Sequence, residues 1–309
     1  MSKALNKHVF YEMKDWRALN VVGPDALDFL HRMTTVNFKK FPPGSFTDCT
    51  FLTATGKLVA YFKVIAVEPG QYTLIASPGF SNEQKADQYL FETLEKFHFN
   101  EDFTITPLAD AYTYFRIAGS GPTPPLESKL YFENFWVKNY WNETAFEFDL
   151  CTLVEKSKIT DFKNKLHAAN YTELASANES RIYFGEPSAP FELNSNMMPL
   201  EAELETAVHE NKGCYPGQEV IEKIRAIGQV PKRLMLVRGN GTPPSFPQAL
   251  KFVTQDAGTL TSAAADPTDS SRWVGLGFIK KMYAIEVGNA EFTVSGNPVE
   301  VHTKAEITE

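Results

Sequence analysis

Cysteine is scarce: the 309 residues hold three, Cys49, Cys151 and Cys214, far apart along the chain. There is no CxxC pair and no even set, so neither a disulfide framework nor a self-contained zinc site is indicated, and a reducing compartment fits. Long apolar runs are missing too, since no window approaches the roughly 18 unbroken apolar residues of a membrane helix. The first residues, MSKALNKHVFYEMKDW, lack both the apolar stretch of a signal peptide and the Arg-rich character of a transit peptide. These absences predict a soluble, cytoplasmic protein with no membrane partner. Positive charge is in deficit as well. A net charge of −8 argues against direct nucleic-acid binding, because a phosphate backbone demands a basic face. No Walker A loop, HExxH or GxSxG occurs, and the carboxylates are scattered, so no acid/base pair can be nominated.

What is present is a large apolar complement, 43% of residues, with 24 Phe and 12 Tyr, which favours sheet in a chain long enough for two or three domains. A short helix is expected from about Pro24 to Met33, with Leu27, Leu30 and Met33 at one-turn spacing. KLVAYFKVIAV and QYTLIAS, separated by EPG, read as a hairpin. SNEQKADQYLFETLEKF reads as a helix with Ser81 and Gln84 at capping-box spacing and an apolar stripe of Ala86, Leu90, Leu94 and Phe97. TYFRIAG is a further strand, ended by a Gly/Pro turn at GSGPTPP, and a helix follows around Ser157 to Ala169. Beyond Val230 the runs RLMLVRG, ALKFVT, RWVGLGFI, EFTVSG and VEVHT are separated by NGTPPSFP and AAADPTDSS, the pattern of a small all-β barrel or sandwich. The fold class is α+β with a β domain appended.

The stretch that stands out is NKGCYPGQEVIEKIR, Asn211 to Arg225. Gly213 and Gly217 permit backbone angles closed to other residues, and Pro216 stiffens the bend. Cys214 is therefore expected on a constrained loop. Three readings of it stay open: a plain turn, a thiolate that reacts or binds metal, and a loop closing over a ligand. Lys212 nearby would favour the thiolate. His209 lies five residues upstream and offers a base without a visible orienting partner. From Lys212 to Arg238 six basic residues stand against two acidic ones, Glu219 and Glu222, so this segment of an acidic protein suits a small anionic ligand or a solvated face.

KGCYPGQE resembles the signature of the YgfZ-type folate-binding proteins, relatives of the glycine-cleavage T-protein, an aminomethyltransferase. DALDFLHRMTTVNFKKFPPGSFTDCTFLTATGKL, FRIAGSGP, RIYFGEP, MPLEAEL, GQVPKRL and VGLGFIKK resemble further blocks of that family in the same order, so the likeness covers essentially the whole chain. The resemblance implies a three-part fold: two α+β lobes and a C-terminal β barrel around a central folate-sized hole. It divides the chain into residues 1–118 with 186–229 carrying the cysteine loop, 119–185 as a second lobe, and 230–309 as the barrel. It implies tetrahydrofolate or a derivative as cofactor, no permanent metal, and iron–sulfur client proteins, including tRNA-modifying enzymes, as partners. On it, Cys214 and Lys212 are the working residues, with Cys214 making any transient iron–sulfur contact. Tyr215, Gln218, Glu219, Arg181, Glu201 and Lys223 are the folate-binding candidates.

The chain also departs from the family pattern. Val59 and Ala60 stand where T-proteins carry an aspartate that assists transfer, which removes the obvious acid/base group. Thr35-Val36-Asn37 replaces a Thr-Asn-Asp block, and Lys223 and Ile227 stand where arginines are usual. The expected function is a folate-binding accessory protein for assembly or repair of iron–sulfur proteins. The alternatives are a folate-dependent aminomethyl or one-carbon transferase and a non-catalytic ligand-binding scaffold.

Overall fold

The computed structural model of the chain describes residues 8–80, 85–108, 111–119, 134–136, 148–174, 176–228, 230–266, 269–284 and 291–303. Three sheets form. The first comprises β1 (His8–Met13), β7 (Tyr112–Gly119), β8 (Asn134–Trp136), β9 (Phe148–Glu155) and β10 (Thr172–Glu173) in the order β10-β1-β7-β9-β8. The second comprises β2 (Arg17–Val22), β3 (Phe46–Leu52), β4 (Leu58–Glu68), β5 (Gln71–Ala76) and β6 (Thr104–Pro107) in the order β3-β4-β5-β2-β6. The third is a closed barrel of β11 (Lys232–Asn240), β12 (Gln248–Phe252), β13 (Gln255–Ala265), β14 (Arg272–Lys280), β15 (Phe292–Val294) and β16 (Asn297–His302). β11 pairs with β16 to close it, which leaves no exposed edge. Helices α1 (Ala26–Met33) and α2 (Ala86–Glu95) belong to the second sheet's lobe; α3 (Ile159–Ala168) and α4 (Ala177–Tyr183) follow the first sheet's strands; α5 (Gln218–Ile227) follows the cysteine loop. The first sheet draws β1 and β7 from before residue 120 and the rest from after it, so strand pairing does not follow chain order.

Alternation along two strands explains how the lobes meet. On β4, Ala60, Phe62, Val64 and Ala66 pack under α1 and α2, while Tyr61 and Ile65 join the core shared by all three parts. On β7, Phe115 and Ile117 pack with Phe162 and Leu166 of α3, while Tyr114 and Ala118 join the shared core. Period-two geometry therefore sends Lys63 and Arg116 into the same junction. They meet on Glu186 of the connection after α4: Arg116 Nη1 lies 2.6 Å from Oε2 and Lys63 Nζ 3.3 Å from Oε1. Lys63 also pairs with Asp48 of β3 at 2.8 Å, and Tyr61 donates to the same carboxylate oxygen at 2.9 Å. Burial pulls the Lys63 pKa down, but Asp48, Tyr61 and Glu186 outweigh it and hold it well above the ordinary value. Burial pushes Glu186 up, and Lys63 and Arg116 outweigh that to hold it low. The two cations and two carboxylates are thus buried against one another. A second buried pair, Arg181 and Glu192 at 2.8 Å, ties α4 to the barrel, because Arg181 Nη2 donates to Ser262 Oγ at 2.9 Å and Thr261 donates to Glu192 at 2.8 Å.

Most sequence expectations match. The 24–33 helix is α1, the hairpin is β4–β5, and the helix near 157–169 is α3. The Ser81/Gln84 cap and most of GSGPTPP lie outside the described residues. Phe97 is not in the α2 stripe: it follows the helix end, is 40% exposed and meets Phe51 edge-on. AAADPTDSS is not a plain turn, for its alanines end β13. That strand escaped notice because it is built of Gly, Ala, Ser and Thr, which carry little β signal. Closure needs small residues there: a Cβ on Gly258 would lie 2.0 Å from the Phe278 carbonyl oxygen.

Glu186→Ala should destabilise the protein by about 3–5 kcal/mol, since it strips the partner from two buried cations. Urea unfolding followed by tryptophan fluorescence checks this. The wild-type midpoint should also fall as pH drops below 4.5, the ordinary glutamate value, because the unfolded state then binds the extra proton; Glu186→Ala should flatten that slope.

Candidate functional site

The cysteine loop is built by close backbone approach. Gly217 has φ +83°, and a Cβ there would lie 2.6 Å from the Thr53 carbonyl oxygen and 2.8 Å from Gly56 Cα. The loop therefore lies flat on the β3–β4 turn, and only glycine fits. Gly213 has φ +99°. Between them Cys214 is exposed and its thiol is free.

The loop's other anchor is Lys212. Helix α1 ends at Met33 with carbonyls that lack helical partners, and a cation there meets the negative end of the helix dipole. Lys212 supplies it: Nζ donates to the His31 and Thr34 carbonyls and sits 4.9 Å from the Tyr215 ring centroid. The TTVN segment is the dock for the chain leading in. His209 N donates to Thr35 O at 3.0 Å, and Asn37 N donates to His209 Nδ1 at 3.2 Å. His209 is thus a half-buried acceptor rather than a surface histidine.

Charge at the loop is unusual. Lys212 is only 5% exposed, and burial pulls its pKa down to about 8 against the raising influence of Cys49 and Cys214. Burial, then Lys212 and Lys39, lower His31; burial, Lys212 and Arg225 lower His209, so both imidazoles are neutral at pH 7. His31 Nε2 lies 3.9 Å from where a Gly213 side chain would begin. Cys49, buried on β3, has its thiol pushed up to about 11 by burial and is inert. Cys151 lies on β9. The arrangement offers one accessible thiol beside a buried cation and neutral imidazoles.

The six folate candidates do not gather in one place. Tyr215 is buried, with a hydroxyl that has no partner among the described residues. Gln218 is half-buried, and Glu219 and Lys223 are exposed along α5. Glu201 is spent locally, accepting from Met198 N at 2.9 Å to cap a 3-10 turn. Arg181 is spent on Glu192 and Ser262 at the barrel seam.

A cavity of about 1110 Å³ lies between α5, the 200–210 segment and the barrel. Its apolar wall includes Leu200, Val208, Ile224, Val230 and Met282. Arg225, Arg233, Lys280 and Lys281 bring positive charge to it, against Glu205 and Glu210. Arg225 is held in place by Val208 O at 2.5 Å and Glu222 at 3.3 Å. None of the six candidates lines it, although the basic 212–238 segment supplies two of its four cations. Lys280 and Lys281, distant in sequence, come to it only through barrel closure. α5 spans about 15 Å at 1.5 Å per residue, with Cys214 just before its first turn and the cavity at its last. Among the described residues no group of three His, Cys, Asp or Glu could hold a metal ion, and no helix is long and apolar enough to cross a membrane.

No family model matches the chain. A chloroplastic protein of Arabidopsis thaliana, provisionally named a transferase, is 26% identical over 304 residues, covering 92% of this chain and 68% of that protein. The crystal structure of the glycine cleavage system aminomethyltransferase T from Bartonella henselae superposes with a TM-score of 0.73 at 15% identity, over 96% of this chain and 86% of that one. The chain has that aminomethyltransferase fold, with its closed C-terminal barrel.

Iodoacetamide on the native protein should modify Cys214 and spare Cys49 until urea is added, as read by peptide mass mapping. Gly217→Ala should cost about 1–3 kcal/mol, the range of a strained backbone position, and thermal unfolding measures it.

Proposed function

We propose that the chain is a folate-binding accessory protein whose working group is the Cys214 thiol, serving the assembly or repair of iron–sulfur proteins, among them tRNA-modifying enzymes. The observation that carries this reading is a free, exposed thiol on a loop fixed at both ends, by Gly217 on the β3–β4 turn and by Lys212 on α1. Thiolate is the soft ligand that iron–sulfur clusters take, and one thiol suits a passing contact with a client's cluster rather than permanent four-cysteine ligation. Lys212 keeps a cation near the sulfur. A reducing compartment, which we propose is the cytoplasm, keeps it free.

Folate enters the reading through the fold. Bound, tetrahydrofolate would supply a carrier for one-carbon units, while the chain's own residues hold and orient it.

One-carbon transfer is the second reading, favoured by the aminomethyltransferase fold. It needs a carboxylate poised to exchange a proton. Val59 and Ala60 cannot serve, and the junction carboxylates Asp48 and Glu186 are held by Lys63 and Arg116. The accessory role is therefore preferred. Cys214→Ser should fold and bind tetrahydrofolate as the wild type does, yet fail to restore iron–sulfur enzyme activity in cells lacking the protein; full restoration overturns the reading.

A further inference from the structure

The cavity beside the last turn of α5 meets water through apolar side chains. Ile227 ends the helix and is 58% exposed, and Met282 lines the cavity and is 66% exposed. Two large apolar side chains left in water at one place are what an interface uses. The lining also carries four cations, Arg225, Arg233, Lys280 and Lys281, against two carboxylates, Glu205 and Glu210. Glu222, Glu203 and Asp256, which pair with three of those cations, are not part of the lining. Two of the cations are fixed before any partner arrives. Arg225 is held by Val208 O and Glu222. Arg233 is held through Nε by Glu203 at 2.6 Å, and its two terminal nitrogens have no partner among the described residues. A guanidinium steered from one side keeps a fork of N–H groups for another carboxylate. In a chain of net charge −8, a lining with more cations than acids marks this face for an acidic guest.

We propose that this cavity docks a segment of a partner protein, with an apolar side chain filling it and a neighbouring Asp or Glu gripped by Arg233. A small molecule sunk in the cavity would leave Ile227 in water, whereas a protein surface covers it. The position gives the docking a use. α5 spans about 15 Å at 1.5 Å per residue, and the exposed Cys214 stands just before its first turn. A client gripped at the last turn is therefore held at a set distance from the thiol by one helix. The inference rests on the accessory reading above, and adds where the client is gripped and what its gripped segment is made of.

The test compares wild type, Met282→Asp, Arg233→Met and Cys214→Ser for restoring iron–sulfur enzyme activity in cells lacking the protein. Thermal unfolding and tetrahydrofolate calorimetry on the purified full chains check that fold and folate affinity are kept. Met282→Asp, at a side chain mostly in solvent, and Arg233→Met should each lower the restored activity roughly tenfold, the scale of one lost hot-spot contact. A benzophenone amino acid placed at position 282 then captures the partner on illumination, with and without Arg233→Met. The joined peptide should carry Asp or Glu beside an apolar residue, and Arg233→Met should weaken its capture. Full restoration by either variant, capture indifferent to Arg233, or a captured peptide without a carboxylate overturns the inference while the accessory reading stands. If the wild type restores nothing, or Cys214→Ser restores fully, the accessory reading falls and the docking site with it.

Discussion

The ion pairs sealed at the junction of the three sheets are the constraint on which the rest depends. Lys63 from the second sheet and Arg116 from the first reach one carboxylate, Glu186, on the connection that leads toward the cysteine loop. Arg181 and Glu192 then fasten that same connection to the barrel through Ser262. Charges buried this deeply are tolerated only when partnered, so the network permits one docking of the parts and penalises others. Everything between residues 186 and 217 runs from these fixed points.

From that anchored connection the chain is led to the place where the thiol is shown. Thr35 and Asn37 receive its backbone, and Lys212 plugs the end of α1. The lysine's ammonium is already engaged by two carbonyls and an aromatic face, which makes it a tether and a nearby charge more than a free proton carrier. The glycines then do what no other residue could, letting the loop lie against the β3–β4 turn while the cysteine side chain stays in solvent. Rigidity at the backbone and access at the sulfur are achieved together.

Helix α5 separates two capacities that a sequence reading merges. The thiol precedes its first turn and the cavity flanks its last, so cavity and sulfur lie at opposite ends of one rigid element.

Composition and local pattern were enough to identify much of the molecule. The glycine-bracketed cysteine, the β4–β5 hairpin, α1, α3 and most barrel strands follow from short-range rules, namely backbone angles only glycine adopts and periodicities of two or 3.6. The basic run from Lys212 to Arg238 already hinted at an anionic partner and contributed Arg225 and Arg233. Tertiary structure alone decided the rest. That Arg181 and Glu201 would be consumed internally, that Lys280 and Lys281 would join Arg233, and that Asn37 would meet His209 all depend on contacts between residues far apart in sequence. Strand β13 was hidden for the same reason: its small residues are there to let neighbouring backbones approach, and that demand exists only once the barrel closes. Local propensity is written in neighbours along the chain, whereas charge pairing and cavity shape belong to neighbours in space.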